Sequence, residues 1–164
     1  MSPDWDPVIA FLGILMACLR PASTADLDAL SLLLDGYRQF YAQPGDTHAA
    51  RAFLVQRLGL SDSHLLVYED DANQLMGFVQ LYPVLSTVSL APRWILNDLF
   101  VDPKARGQGI GRALMQAAAE LARDHGVPRL SLSTQTGNGA AQRLYESLGW
   151  QRNDAFYGYI LDID

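Results

Sequence analysis

Arg106-Gly107-Gln108-Gly109-Ile110-Gly111 is the segment of this 164-residue chain whose residue types and spacing promise the most chemistry. It falls between a run that reads as a strand, Arg93–Val101, and one that reads as a helix, Gly109–His125. Glycines at such a junction let a ligand come close to the backbone. The first amides of a helix have no intrahelical acceptor, and the positive end of its dipole lies there, so the junction favours an anion. Arg106 and Arg112 add positive charge. A phosphate or pyrophosphate group suits this chemistry. Two better-known phosphate loops do not match. A Walker loop ends in Gly-Lys-Ser/Thr, whereas Arg112-Ala113 follows Gly111. A dinucleotide fingerprint needs a third glycine where Arg112 stands, and an acid at a later strand end; Glu120 and Asp124 fall inside the helix instead. A kinase-type glycine loop joins two strands. The remaining alternative is a glycine-bearing turn that leads into a helix and holds no ligand.

The elements that must position this segment follow from periodicity and punctuation. Ala17–Pro21 reads as a short strand. Ser23 or Thr24 can cap a helix in which Leu27, Leu30, Leu34, Tyr37 and Tyr41 recur at helical spacing to about Ala42. Pro44-Gly45-Asp46 interrupts the chain. A second helix, capped by Thr47, runs to about Leu58 with Ala50, Phe53, Leu54 and Leu58 on one side. His64–Glu69 and Gln74–Tyr82 read as a hairpin about Asp70–Asn73. Pro83–Pro92 reads as a loop. In the helix 109–125 the apolar stripe is Ile110, Leu114, Ala117 and Leu121, and Gly126-Val127-Pro128 ends it. Leu130–Thr134 reads as a strand and Asn138–Leu148 as a helix stopped by Gly149. Trp150–Arg152 and Phe156–Leu161 read as the last strands. This order describes an α/β domain with one mixed sheet and helices on both faces.

Three segments in this order resemble the GNAT N-acetyltransferase superfamily. Arg106, Gly109 and Gly111 match its Arg-x-x-Gly-x-Gly acyl-CoA pyrophosphate signature. Leu96-Asn97-Asp98-Leu99-Phe100-Val101-Asp102-Pro103 is similar to its fourth strand and exit. Asn138-Gly139-Ala140-Ala141-Gln142-Arg143-Leu144-Tyr145-Glu146-Ser147-Leu148-Gly149-Trp150 is similar to its second cofactor segment. The resemblance runs from about Met16 to Leu161. It implies a twisted, mostly antiparallel mixed sheet with a V-shaped split between strands 4 and 5, in which acetyl-CoA lies. It also divides the chain into an extension, 1–15, and a single domain, 16–164. Within the family, Leu81-Tyr82-Pro83, Ser86-Thr87 and Trp94 with Leu96–Val101 look most similar to small-amine and histone/polyamine-type enzymes.

The resemblance carries roles over residue by residue. Arg106, Gly107, Gln108, Gly109, Ile110, Gly111 and Arg112 would hold the pyrophosphate, chiefly through main-chain amides. Leu99, Phe100 and Val101 would present backbone to the pantetheine arm as an added strand would. Asn138 and Ala141 would meet the same arm, although Asn138 also suits a helix cap. Tyr145 would be the general acid that protonates the leaving thiolate. Its alternative is a core aromatic. Asp98 is the nearest acid to take the amine proton; it could instead brace a strand irregularity. Asn97 stands where many relatives have Glu, which leaves the base open. Tyr37, Tyr41, Tyr82 and Asn97 would contact the acceptor. The reaction so implied is direct acetyl transfer to a small primary amine of polyamine or lysine type. The rival is a non-catalytic acyl-CoA-binding or sensor domain on the same fold.

Composition limits the partners. The net charge is −6, with eleven acids against five arginines in residues 1–99 and equal numbers of acids and bases beyond. A nucleic-acid binder would show a basic face instead. The apolar run Val8–Leu19 is too short to span a bilayer and has no basic leader, so no membrane partner is expected. One cysteine, Cys18, excludes a disulfide framework, and His48, His64 and His125 lack metal-ligand spacing. A cytoplasmic enzyme without a metal is the expectation, with a homodimer left open.

Overall fold

The computed structural model describes residues 19–163. The expected extension 1–15, Met16 and Cys18 lie outside the described residues. The chain divides into two units, one ending at Leu132 and one beginning at Ser133, and each is described separately.

The first unit holds β1 (Leu19–Pro21), α1 (Leu27–Phe40), α2 (Thr47–Leu60), β2 (His64–Glu69), β3 (Leu75–Ser86), β4 (Ala91–Val101), α3 (Ile110–Asp124) and β5 (Leu130–Ser131). The sheet order is β1-β2-β3-β4-β5, antiparallel through β4 and parallel between β4 and β5. Ser23 and Asp26 form a reciprocal capping box before α1. Asp46, rather than Thr47, caps α2 by accepting from the Ala49 amide at 2.8 Å. Asp35 orders the α1–α2 turn. Its carboxylate accepts from the Asp46 amide at 2.7 Å and from the Gln39 side chain at 2.9 Å.

Side-chain alternation gives the sheet two buried faces. Leu65, Val67, Phe78 and Phe100 pack with Leu27, Leu30, Leu33 and Leu34 of α1 and with Ala50 and Leu54 of α2. Gly77, Val79 and Leu81 lie on the other face, where Leu114 of α3 reaches over Gly77. On α3 the buried stripe is Ile110, Ala113, Leu114, Ala118 and Ala122, rotated from the expected stripe, so that Ala117 and Leu121 sit at its border. The small alanines let the helix lie close to the sheet. Phe53 of α2, expected on the packed side, is 41% exposed.

Two features of β4 set up the site. The register against β3 jumps from Gln80↔Asp98 to Leu81↔Leu96, so Asn97 is an extra residue, a β-bulge. The bulge exchanges faces along the strand. Trp94 and Leu96 share the face of Leu81 and Pro83, while Asp98 and Phe100 share that of Gln80 and Phe78. Second, β5 pairs with β4 at Trp94↔Leu130 and Ile95↔Ser131. From Leu96 to Val101, β4 keeps β3 on one edge and has no strand on the other among the described residues. This divergence is the expected V.

The span 83–92, expected as a loop, extends the hairpin instead, with ladder pairs continuing to Ser86↔Ala91 about the turn 87–90. The strand expected to Thr134 stops at Ser131. In the second unit, α4 (Gly139–Ser147) ends in a Schellman arrangement. The Trp150 amide bonds the Tyr145 carbonyl at 3.1 Å, the Gly149 amide bonds Glu146 at 3.0 Å, and Gly149 takes a φ of +84°. The strands expected at 150–152 and 156–161 do not form in the described residues, and Tyr159 is 92% exposed. Their alternation satisfies strand propensity, but a strand also needs a partner edge, and none pairs with them here.

Candidate active site

The glycine segment is open. Gly109 precedes α3 in the left-handed region at φ +82°, and no side chain caps the helix. Gly107 is left-handed as well, at φ +77°. A Cβ added at either glycine would meet nothing within 4 Å. The amides of Ile110 and Gly111 begin the helix and have no intrahelical carbonyl to bond. These groups fit a pyrophosphate, which needs close backbone approach and several N–H donors. The Ile110 side chain is buried beneath the segment, and Gln108 and Arg112 are exposed beside it. Arg106 donates through Nε to the Val101 carbonyl at 3.2 Å. Its guanidinium lies over the rings of Phe40 and Phe100, at 5.9 and 5.8 Å.

The open edge of β4 leads to this segment. The Asp102 amide bonds the Met76 carbonyl of β3 at 2.8 Å. Main-chain groups alternate in direction along an antiparallel strand, so those of Leu99 and Val101 point away from β3, into the V. Phe100 is a core residue by its side chain, 7% exposed. Any part it takes in ligand binding belongs to its backbone.

At the bulge the structure gathers Tyr37, Tyr41, Tyr82, Asn97 and Asp98. Asn97 Nδ2 contacts both Asp98 carboxylate oxygens, at 3.1 and 3.0 Å. Tyr37 lies on the Asp98 face of the sheet, beside Phe78 and Phe100. Tyr37 packs edge-on against Tyr41, with ring centroids 5.0 Å apart, and against Phe78 and Phe100, each at 6.0 Å. Burial pushes Asp98 above the usual carboxylate range, and the Asn97 bonds, with the nearby Tyr37 phenol, oppose this. Burial, and then the Asp98 charge, push the phenols of Tyr37 and Tyr82 upward. The result is a small anionic slot walled by phenols.

The strand edge, the open amides and the anionic slot suit an enzyme that binds an acyl-CoA thioester and an amine. Residues 29–150 match the family model described as "Acetyltransferase (GNAT) family". The chain belongs to the GNAT acetyltransferase family. Its activity is that of the family, acyl transfer of the N-acetyltransferase type. The family generally draws its acetyl group from acetyl-CoA. An uncharacterized N-acetyltransferase of Bacillus subtilis (strain 168), YhfO, is 41% identical over 145 residues, covering 88% of this chain and 97% of its own. A crystal structure of a probable acetyltransferase superposes with a TM-score of 0.83 at 37% identity, covering 89% of this chain and 97% of that one. The thialysine N-epsilon-acetyltransferase of Bos taurus is 43% identical over 56 residues, 34% of this chain and 33% of its own.

Other family positions lie in the second unit. Asn138 caps α4 by accepting from the Ala141 amide at 3.2 Å. The capping alternative is thus realised through Oδ1, while the side-chain NH2 group is not used in that bond. Tyr145 is half-buried, its ring centroid 6.3 Å from that of Trp150. Asp102 accepts from the Lys104 amide at 2.8 Å and so works as a turn residue.

Sequence reasoning missed Gln80. It is fully buried opposite Asp98, donates to Ser63 Oγ at 2.9 Å, and leaves Oε1 unpartnered among the described residues. The available signal was a polar residue between Phe78 and Tyr82 on a core face. Two of the three histidines, which lack metal-ligand spacing in the sequence, meet in the fold. His64 stacks on Trp94 at 4.1 Å and meets His125 at 5.0 Å. No group of three metal-capable side chains occurs among the described residues, and none of their helices is long and apolar enough to cross a membrane.

Proposed function

We propose that this enzyme transfers acetyl from acetyl-CoA directly to a small primary amine that is cationic in solution, of lysine or polyamine type. The observation that carries the proposal is the half-buried Asp98 carboxylate, set among Tyr37, Tyr41 and Tyr82 and hydrogen-bonded by Asn97, with no ion-pair partner among the described residues. Such a slot attracts an ammonium by charge and by aromatic faces. The name of the thialysine relative is in keeping with a lysine-like acceptor.

In this reading acetyl-CoA supplies the activated acyl group. The amides that open α3 hold its pyrophosphate, and the Leu99 and Val101 main chain holds its pantetheine arm. The family resemblance gives Asn138 and Ala141 a role toward the same arm. An ammonium has no lone pair, so Asp98 takes a proton from the amine before attack. Tyr145 gives a proton to the departing thiolate.

A panel of amines, followed by thiol release and mass spectrometry of the product, tests the proposal. Polyamines and lysine-like amines should outperform alcohols and anionic amino acids, with a KM that rises with ionic strength. Preference for an anionic acceptor would refute the electrostatic reading and leave the family assignment standing.

A further inference from the structure

We propose that Arg106 is a specificity-determining residue for the acyl donor: its side chain straps the open edge of β4 at Val101, and a donor that carries a diphosphate opens the strap by offering the guanidinium a better partner. The inference rests on the reading of residues 106–112 as the pyrophosphate site and of the β4 edge as the site of the pantetheine arm.

The strap consists of three contacts. Arg106 Nε donates to the Val101 carbonyl at 3.2 Å. The guanidinium lies over the Phe100 ring at 5.8 Å and over the Phe40 ring at 5.9 Å. Phe100 packs into the core beneath α1, and Phe40 is the last residue of that helix. The Arg106 side chain therefore reaches back from the glycine segment across the end of β4 to α1. The direction of one peptide group gives the Val101 contact its consequence. The Asp102 amide belongs to the same planar, trans peptide as the Val101 carbonyl, and it bonds the Met76 carbonyl of β3 at 2.8 Å. The Val101 carbonyl thus points the other way, into the V. An arm that pairs with this edge as an added strand needs that carbonyl as an acceptor. The guanidinium that now holds it stands on the approach.

Charge decides which donors open the strap. The bond to Val101 is a single one to a neutral oxygen. A diphosphate accepts two parallel N–H bonds from a guanidinium and matches its charge. Gly107, at φ +77°, follows Arg106 directly, and nothing stands within 4 Å of the place of its missing Cβ. A guanidinium that leaves Val101 therefore finds the diphosphate within its own segment. A thioester without a diphosphate breaks the same contacts and returns nothing to the guanidinium. Selection then comes from a cost imposed on the wrong donor.

The experiment uses protein-observed NMR titrations to measure Kd for acetyl-CoA and for S-acetylpantetheine, which has the thioester and the arm but no phosphate. Arg106→Met keeps an apolar stem on the two rings and removes the donor and the charge. It should bind S-acetylpantetheine about fivefold more tightly than the wild type and acetyl-CoA about tenfold more weakly. Phe40→Leu removes one ring from the guanidinium and keeps its charge; Phe40 is 50% exposed, so the fold should not suffer. This variant should bind both ligands about two- to threefold more tightly. If S-acetylpantetheine binds Arg106→Met no more tightly than the wild type, the strap is overturned. If Arg106→Met does not fold, Phe40→Leu decides the same point by the same ligand. If Arg106→Met binds acetyl-CoA as well as S-acetylpantetheine more tightly, the diphosphate does not open the strap and the specificity role is overturned. Gly109→Ala tests the underlying reading separately. Unchanged acetyl-CoA affinity in that variant would remove the pyrophosphate from this segment and with it the specificity role, while the S-acetylpantetheine result still decides whether Arg106 blocks the strand edge.

Discussion

Replacing Gly109 by alanine separates backbone strain from obstruction of the ligand. Gly109 takes a φ of +82°, where a side chain costs about 1–2 kcal/mol. Nothing lies within 4 Å of the added Cβ, so strain is the whole cost in the free protein. For a domain of this size that lowers Tm by about 2–8 °C. Free acetyl-CoA at about 100 times its Kd should stabilise the wild type by about 2.7 kcal/mol. A tenfold weaker Kd leaves about 1.4 kcal/mol. Thermal melts with and without acetyl-CoA should thus show Gly109→Ala losing about half of the ligand-induced rise. Gly126→Ala is the control. Gly126 ends the same helix at φ +66°, also with nothing within 4 Å, so it carries similar strain far along the helix from the junction. Its ligand-induced rise should be that of the wild type. A full rise in Gly109→Ala would refute the assignment of the pyrophosphate to this segment.

Three further outcomes are expected. Tyr145→Phe should lower kcat about a hundredfold with acetyl-CoA affinity unchanged in calorimetry; unchanged turnover would remove Tyr145 as the general acid. Gly77→Ala should destabilise the fold by about 1–3 kcal/mol in denaturant titration, because its Cβ would stand 2.7 Å from the Phe100 carbonyl oxygen and 3.2 Å from Leu114 Cδ1; wild-type stability would show that the β3–β4 ladder yields at no cost. Burial, and then His125, hold His64 below the ordinary histidine range. The unfolded chain therefore binds more protons below about pH 6.5, and stability present above that pH falls as the solution is acidified. His64→Phe, which keeps an aromatic ring against Trp94, should lose less stability between about pH 7.5 and about pH 5.5 than the wild type. An equal loss would mean that His64 does not titrate in this range.

Much of the scaffold is legible in the sequence because its causes are local. A cap is decided within one turn of helix. Ser23 with Asp26, Gly109 before α3, Gly126 after it and Gly149 after α4 all announce ends that the structure contains. The open, glycine-bearing junction at residues 106–112 is local as well, since it needs a strand, a few glycines and the start of a helix. The misses have a common origin. Alternation in Phe156–Leu161 and helical spacing at Ala117 and Leu121 record propensity, whereas pairing and burial depend on what lies opposite.

The sequence by itself determined the family, the order of elements through α4 and the glycine-bearing junction between β4 and α3, each written in neighbouring residues. Tertiary structure alone decided what surrounds Asp98. The bulge at Asn97 exists because β3 and β4 shift register between Gln80 and Leu81, and no residue near Asn97 in the chain specifies that shift. The packing of Tyr37 on Phe100, beside Asp98, joins groups some sixty positions apart, and the meeting of His64 and His125 spans a like distance. These contacts follow from packing α1 and α3 on opposite faces of one sheet. The burial that raises Asp98 and lowers His64 comes from that packing, because desolvation belongs to the folded arrangement and not to any residue type.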